Sequence, residues 1–120
     1  MFACKVMIKA PMDEVKARFE GYKDMEFFQR GDWVLAEDSS GTQLFGWEVS
    51  AWLELAREDE LIYAYYDEDG NAEFVFLQNG LCMRAYQEYG GEVDTDEGED
   101  SDISIAGWTD VADYMDEHMV

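Results

Sequence analysis

The sequence predicts an α+β fold, a largely antiparallel β-sheet packed with two to three helices that cover one face. Three observations predict it. Residues 61–89 hold three apolar, aromatic-rich runs separated by short turn sequences, the pattern of an antiparallel meander. Near the N-terminus, Phe2, Cys4, Val6 and Ile8 recur at every second position. Elsewhere, apolar residues recur at helical spacing on short segments flanked by Pro or Gly. At 120 residues the chain fits one domain with a real core, spanning 1–120.

Taken in order, the first strand carries Lys5 and Lys9 between its apolar positions. Pro11 opens a helix at the first helical position, where its missing N–H leaves no bond unmade, and Asp13 and Glu14 suit the positive end of the helix dipole. Met12, Val15 and Phe19 share one face of this helix, and Gly21 stops it. Residues 33–36 and 42–47 are expected to pair as a hairpin around Glu37-Asp38-Ser39-Ser40-Gly41. Ser50 is read as the cap of a short helix through Arg57, with Val49, Trp52, Leu53 and Ala56 inward.

The meander follows. Residues 61–66 turn through Asp67-Glu68-Asp69-Gly70-Asn71 into 72–78, and Asn79-Gly80 turns into 81–89. Asn-Gly between apolar runs is a strong hairpin signal, because both residues tolerate the positive φ of a type I′ turn. Residues 92–102 then form an acidic run, expected to be a mobile loop, and Ile103-Ser104-Ile105 adds a short strand. A last helix follows Gly107 with Thr109 as its cap. Trp108, Val111, Ala112, Met115 and Met119 face the core, while Asp110, Asp113, Asp116 and Glu117 face outward.

Composition excludes several classes. With 48% hydrophobic residues, including four Trp, seven Phe and seven Tyr, the chain is too apolar to be disordered throughout. No apolar run approaches the ~20 residues of a membrane helix, and the N-terminal residues lack the pattern of a signal peptide, so a cytoplasmic location is expected. Cys4 and Cys82 each sit in an apolar strand and are read as buried thiols, with a disulfide between them left open. The single histidine, His118, stands two residues from the last one and is read as a favourable charge at a helix C-terminus. No phosphate loop, CxxC pair or HExxH is present, so no enzyme is expected, and no cofactor. The run from Asp67 begins like an EF-hand loop but has Ala72 at its sixth position and Gln78 at its twelfth, so no specific metal site is expected.

The dominant feature is a formal charge of −21, from 29 acids against eight bases. Solubility alone asks for a magnitude of only about 2–8 in a small domain. Residues 1–60 carry 13 acids and seven bases; residues 61–120 carry 16 acids and one base, Arg84. Such a surface repels nucleic acid and anionic membrane and attracts cationic surfaces, so the second half is where a basic partner would dock. The expected partner-binding residues are Asp67, Glu68 and Asp69 at the meander turn, Glu92, Asp94, Asp96, Glu97, Glu99, Asp100 and Asp102 in the acidic run, and Asp110, Asp113, Asp116 and Glu117 on the last helix. Glu92, Asp94 and Asp96, if extended, would lie about 6.6–6.8 Å apart in a row, with the helical acids forming a second row. Tyr86, Tyr89 and Tyr114 are candidate aromatic anchors beside them.

These residues, from the Asp67-Glu68-Asp69-Gly70-Asn71 turn and Asn79-Gly80 to the tail from Glu92 through Trp108-Thr109-Asp110 to Glu117, give the chain a resemblance to two overlapping bacterial groups. It resembles the small DNA-mimic proteins that occupy the DNA-binding face of histone-like proteins, repressors or nucleases. It is also similar to immunity proteins that neutralise a cognate toxin, often a nuclease. The resemblance rests on size, charge and composition over the whole chain. It implies a non-enzymatic inhibitor, monomeric or dimeric, with a histone-like protein, another DNA-binding protein or a nuclease toxin as its basic partner. Two rivals come from other classes: a domain made acidic by salt adaptation, and a cation-binding module.

Overall fold

The computed structural model describes residues 2–98 and 102–120. Among them the elements run β1 (Phe2–Ile8), α1 (Met12–Arg18), β2 (Met25–Arg30), β3 (Trp33–Asp38), α2 (Val49–Ala56), β4 (Leu61–Asp67), β5 (Ala72–Gln78), β6 (Leu81–Tyr89), β7 (Glu92–Glu97) and α3 (Trp108–His118). The fold is α+β. The seven strands form one sheet in the order β2-β3-β1-β4-β5-β6-β7, and every neighbouring pair is antiparallel.

The meander stands as its sequence predicts. Asn79 and Gly80 take φ of 52° and 75°, the left-handed pair that a type I′ turn requires, and Gln78 pairs with Leu81 across it. The hairpin before α2 is different. β3 pairs with β2, a strand the sequence reading passed over, through the two-residue turn Gly31-Asp32 between Arg30 and Trp33. Residues 42–47 form no strand. The reason is Asp38, a buried carboxylate that accepts the backbone N–H of Ser40 (3.0 Å) and of Gln43 (2.9 Å) and so curls the chain away from the sheet.

The helices cover both faces rather than one. On one face, Cys4, Val6, Ile8, Val34, Ala36, Leu61, Tyr63, Tyr65, Val75 and Leu77 pack under Val15 and Phe19 of the α1 region and Trp52 and Ala56 of α2. On the other, Met7, Leu35, Ile62, Ala64, Ala72, Phe74 and Tyr86 pack under Val111, Met115 and Met119 of the α3 region. The physical reason lies in the central strands: Leu61, Ile62, Tyr63, Ala64 and Tyr65 are all buried, and successive side chains of a strand point to opposite faces.

Other local expectations shift as well. Pro11 is the N-cap of α1 rather than its first residue. Ser50 and Thr109 lie inside α2 and α3, whose N-caps are Glu48 and Gly107, and neither N-cap makes a side-chain hydrogen bond. At α3 the third residue reaches back past the N-cap: Asp110 Oδ2 accepts the N–H of Ala106 at 2.8 Å and ties the incoming chain to the first turn. Ile103-Ser104-Ile105 is not a strand; Ile105 is buried beneath α3, and its carbonyl accepts from Arg84 instead of from a neighbouring strand. Cys4 and Cys82 are free thiols on β1 and β6. Those strands stand three spacings apart, about 14 Å, twice the reach of a disulfide.

Candidate partner-binding surface

The acidic run does not begin as a loop. Residues 92–97 are the edge strand β7, because β6 offers a free ladder and Gly90-Gly91, both at positive φ, turn the chain back onto it. The strand is nearly all exposed; only Thr95 is half-buried. Its register runs Ala85↔Glu97, Tyr86↔Asp96, Gln87↔Thr95, then Glu88↔Val93 and Tyr89↔Glu92, so Asp94 is an inserted bulge residue. The bulge breaks the single row of Glu92, Asp94 and Asp96. Cross-strand partners share a face, which puts Glu92 and Glu97 on the α2 side and Asp96 on the α3 side.

Two neighbouring turns extend the anionic edge. The β6–β7 turn is laced to the β4–β5 turn: Gly91 N–H donates to Gly70 O (3.3 Å), and Gly90 N–H donates to the Asn71 side chain (3.0 Å). This lays the exposed Glu68 and Asp69 beside the start of β7. Asp67 works differently. Its carboxylate accepts the N–H groups of Asp69 and Asn71, the Asn71 amide and the Tyr65 hydroxyl. Burial pushes its pKa up, but those hydrogen bonds outweigh burial and hold it below the usual carboxylate range. Asp67 therefore shapes the turn that presents its two neighbours.

The lone base of this half faces inward. Arg84 is 2% exposed, and its Nη1 donates to Ala85 O (3.0 Å) and Glu97 O (2.8 Å) and meets Asp96 Oδ1 at 2.7 Å. Its Nη2 donates to Ile105 O at 2.6 Å. One guanidinium thus joins β6, β7 and the segment leading to α3. Just past β7, a Cβ on Gly98 would lie 2.0 Å from Met83 O, and its φ of +76° also calls for glycine. Chain path and charge pairing leave the carboxylates of Glu92, Asp94 and Glu97 outermost, with Asp96 partly neutralised.

On α3, Asp113, Asp116 and Glu117 are exposed as expected, and Asp110 is half-buried, holding the N–H of Ala106. Two acids in the last turn oppose the helix dipole. The opposition is offset by cations from the sheet, since Lys5 Nζ donates to Met119 O (2.9 Å) and Arg30 Nε to Val120 O (2.9 Å). Asp102 is exposed, while Glu99 and Asp100 lie outside the described residues. The aromatic candidates are mostly spoken for. Tyr86 is 1% exposed in the core and donates to Glu88, because its strand is covered on both faces. Tyr114 packs edge-on against Phe74, and Tyr89 donates to Glu73.

Glu73 escaped the sequence reading. It is 1% exposed and accepts from the hydroxyls of Tyr63 (2.7 Å) and Tyr89 and from the N–H of Gly46 (3.1 and 3.2 Å). Burial raises its pKa, and the three donors pull it only part of the way back. The signal was present: Glu73 interrupts the apolar run from Ala72 to Leu77 at a position in step with Val75 and Leu77, the buried face.

Burial, with Asp38 next, pushes the Cys4 thiol far up, and burial raises Cys82 as well. His118 is exposed, its ring tilted at 37° against that of Tyr114 with 4.5 Å between centres, and Glu117 Oε2 lies 3.8 Å away. Among the described residues, no three His, Cys, Asp or Glu side chains gather in a way that would hold a metal ion, and no helix is long and apolar enough to cross a membrane. No protein-family model, curated protein or solved structure matches the chain.

Proposed function

We propose that the protein is a cytoplasmic, non-enzymatic inhibitor that lays its acidic edge into the nucleic-acid-binding surface of a basic partner protein, as a DNA mimic. The observation that carries this reading is β7, an edge strand with Glu92, Asp94, Asp96 and Glu97 in six residues and exposed acids at the adjoining turn. Six strand residues span about 20 Å. Glu92, Asp94 and Glu97, the three carboxylates not taken by Arg84, supply about half the charge of the roughly six phosphates that one DNA strand carries over the same distance, and Glu68 and Asp69 extend the edge. A protein that binds DNA by neutralising phosphates meets a concentrated anionic edge here, though not a single row of charges. Opposite potentials then steer the encounter, raising association rates from ~10⁵–10⁶ toward 10⁸–10⁹ M⁻¹s⁻¹ at low salt.

Edge protection alone asks for less. A charged residue or two and a bulge suffice to keep an edge strand from pairing with another chain. β7 has the bulge and four acids, and the turns beside it add more.

The test is capture of partners from the cells that make the protein, eluted with rising salt, followed by competition with duplex DNA. A DNA mimic displaces duplex DNA from several unrelated basic proteins, with a steep salt dependence. Protection against one toxin only would assign the protein to the immunity class instead. Capture of no basic protein at low salt, or of one that keeps its DNA in the presence of excess inhibitor, overturns the reading.

A further inference from the structure

A groove of about 540 Å³ opens between α2 and the turn that follows α1. The half-buried Tyr22, Trp47, Ala51 and Leu55 line it, with the exposed Glu48 and Glu54 at its rim. Among the described residues, no basic one lines it. We infer that this groove is a second docking site, which receives an arginine side chain flanked by apolar residues on the basic partner.

The site is firmly built. Residues 39–48 have no regular secondary structure, yet two buried carboxylates fix them: Asp38 holds Ser40 and Gln43, and Glu73 holds Gly46. Trp47 comes next in the chain and is held from three further directions. Its Nε1–H donates to Gln43 O at 2.9 Å, its carbonyl accepts from Gln87 Nε2 at 3.3 Å, and its ring lies 4.4 Å from that of Trp52. Tyr22 stands 6.3 Å from Trp47 and packs edge-on against Phe19 at 5.6 Å. A half-exposed tryptophan held this way loses little freedom on binding, as a docking anchor requires.

The occupant follows from charge and shape. Aromatic faces attract cations, and they attract a guanidinium more readily than an ammonium because its plane stacks on a ring. Carboxylates at the rim pair with the same group through its forked N–H donors. Ala51 and Leu55 suit the apolar stem of the side chain and an apolar neighbour. Arginine is among the residues that dominate binding energy at interfaces. The biological role of the groove rests on the proposed basic partner, but its chemistry can be tested without one.

The probe is a capped Leu-Arg-Leu tripeptide, followed through the indole N–H resonance of Trp47. Leu-Arg-Leu is expected to shift that resonance on binding, and the neutral Leu-citrulline-Leu peptide to bind about tenfold more weakly. Glu48→Gln with Glu54→Gln should weaken the arginine peptide about fivefold. Asp113→Asn with Asp116→Asn removes the same charge from α3, on the other side of the sheet, and should change it less than about twofold. All four acids are exposed, so the variants are expected to keep the native circular dichroism. An unshifted Trp47, or equal weakening by the two pairs of substitutions, overturns the inference and marks the binding as diffuse charge attraction. Failure of the acidic-edge reading has its own readout, the captured partner that keeps its duplex DNA.

Discussion

β2 and β7 are the two outer strands of one sheet, and each leaves one side of its backbone unpaired. β2 reads Met-Glu-Phe-Phe-Gln-Arg, with Met25, Phe27 and Phe28 half-buried against the two cores. Cations attend its rings: Lys16 Nζ lies 6.0 Å from the centre of Phe27 and the Arg30 guanidinium 5.2 Å from that of Phe28. β7 reads Glu-Val-Asp-Thr-Asp-Glu, and even its one large apolar residue, Val93, is 55% exposed. β2 is held by side-chain packing. β7 is held by its backbone ladder and by one buried arginine, which leaves its outward carboxylates free of any packing duty. Side chains that stability does not require are the ones a partner can use.

The largest expected effect tests that dependence on the arginine. Arg84→Met should cost about 3 kcal/mol in urea unfolding, because three carbonyls lose their donor and Asp96 its partner. Arg30→Met on the other edge removes an exposed contact to Val120 O and should cost under about 1 kcal/mol. Equal costs would erase the distinction between the edges. Next come the glycines. Gly98→Ala brings a Cβ onto Met83 O and should cost about 2–3 kcal/mol, whereas Gly31→Ala meets nothing within 4 Å and should cost only the left-handed backbone strain, about 1 kcal/mol.

Function should split the edges in the same direction. Replacing Glu92, Asp94 and Glu97 by their amides is expected to weaken displacement of duplex DNA by about 30-fold, with unchanged or slightly raised thermal stability as repulsion is relieved. The same treatment of Glu20, Glu26 and Asp32, near the β2 edge, should change displacement less than about twofold. A similar loss from both sets would mean that total charge, rather than the β7 edge, does the binding.

The smallest expected effect is a slope with pH, read from the urea midpoint. Because the folded-state pKa of Glu73 is raised, the folded protein keeps a proton that the unfolded chain has already lost. Stability from this group is therefore full below the ordinary carboxylate range and falls as pH rises through the raised value. Asp38 and Asp67 act the other way: their lowered values stabilise the fold above the ordinary range, and that contribution is lost as pH falls through them. Stability should peak in mild acid and decline toward neutrality. Glu73→Gln should flatten the decline and leave the acid-side loss in place.

Much of the fold was legible because it is written locally. Asn79-Gly80 set the β5–β6 turn by backbone conformation alone, and alternation of apolar residues marked β1. β2 was missed although Gly31-Asp32 is itself a two-residue turn signal, because Met25, Phe27 and Phe28 do not alternate cleanly with polar residues. Of the acidic surface, the chain told which residues are charged but not which are used up. Asp67, Asp96 and Asp110 spend their carboxylates on a turn, an arginine and a helix start.

Sequence alone was enough for the strand-rich α+β class, the β4–β5–β6 meander, and a charge of −21 of which −15 lies in the second half. Period and turn chemistry act between near neighbours, and charge is a sum, so neither needs a tertiary structure to be read. Only the tertiary structure decided that 92–97 pairs as an edge strand, that helices cover both faces, and that Glu73 and Arg84 lie buried at the joints. Each of those outcomes depends on contacts between distant segments, such as Arg84 with Ile105 or Glu73 with Gly46, which no local pattern encodes.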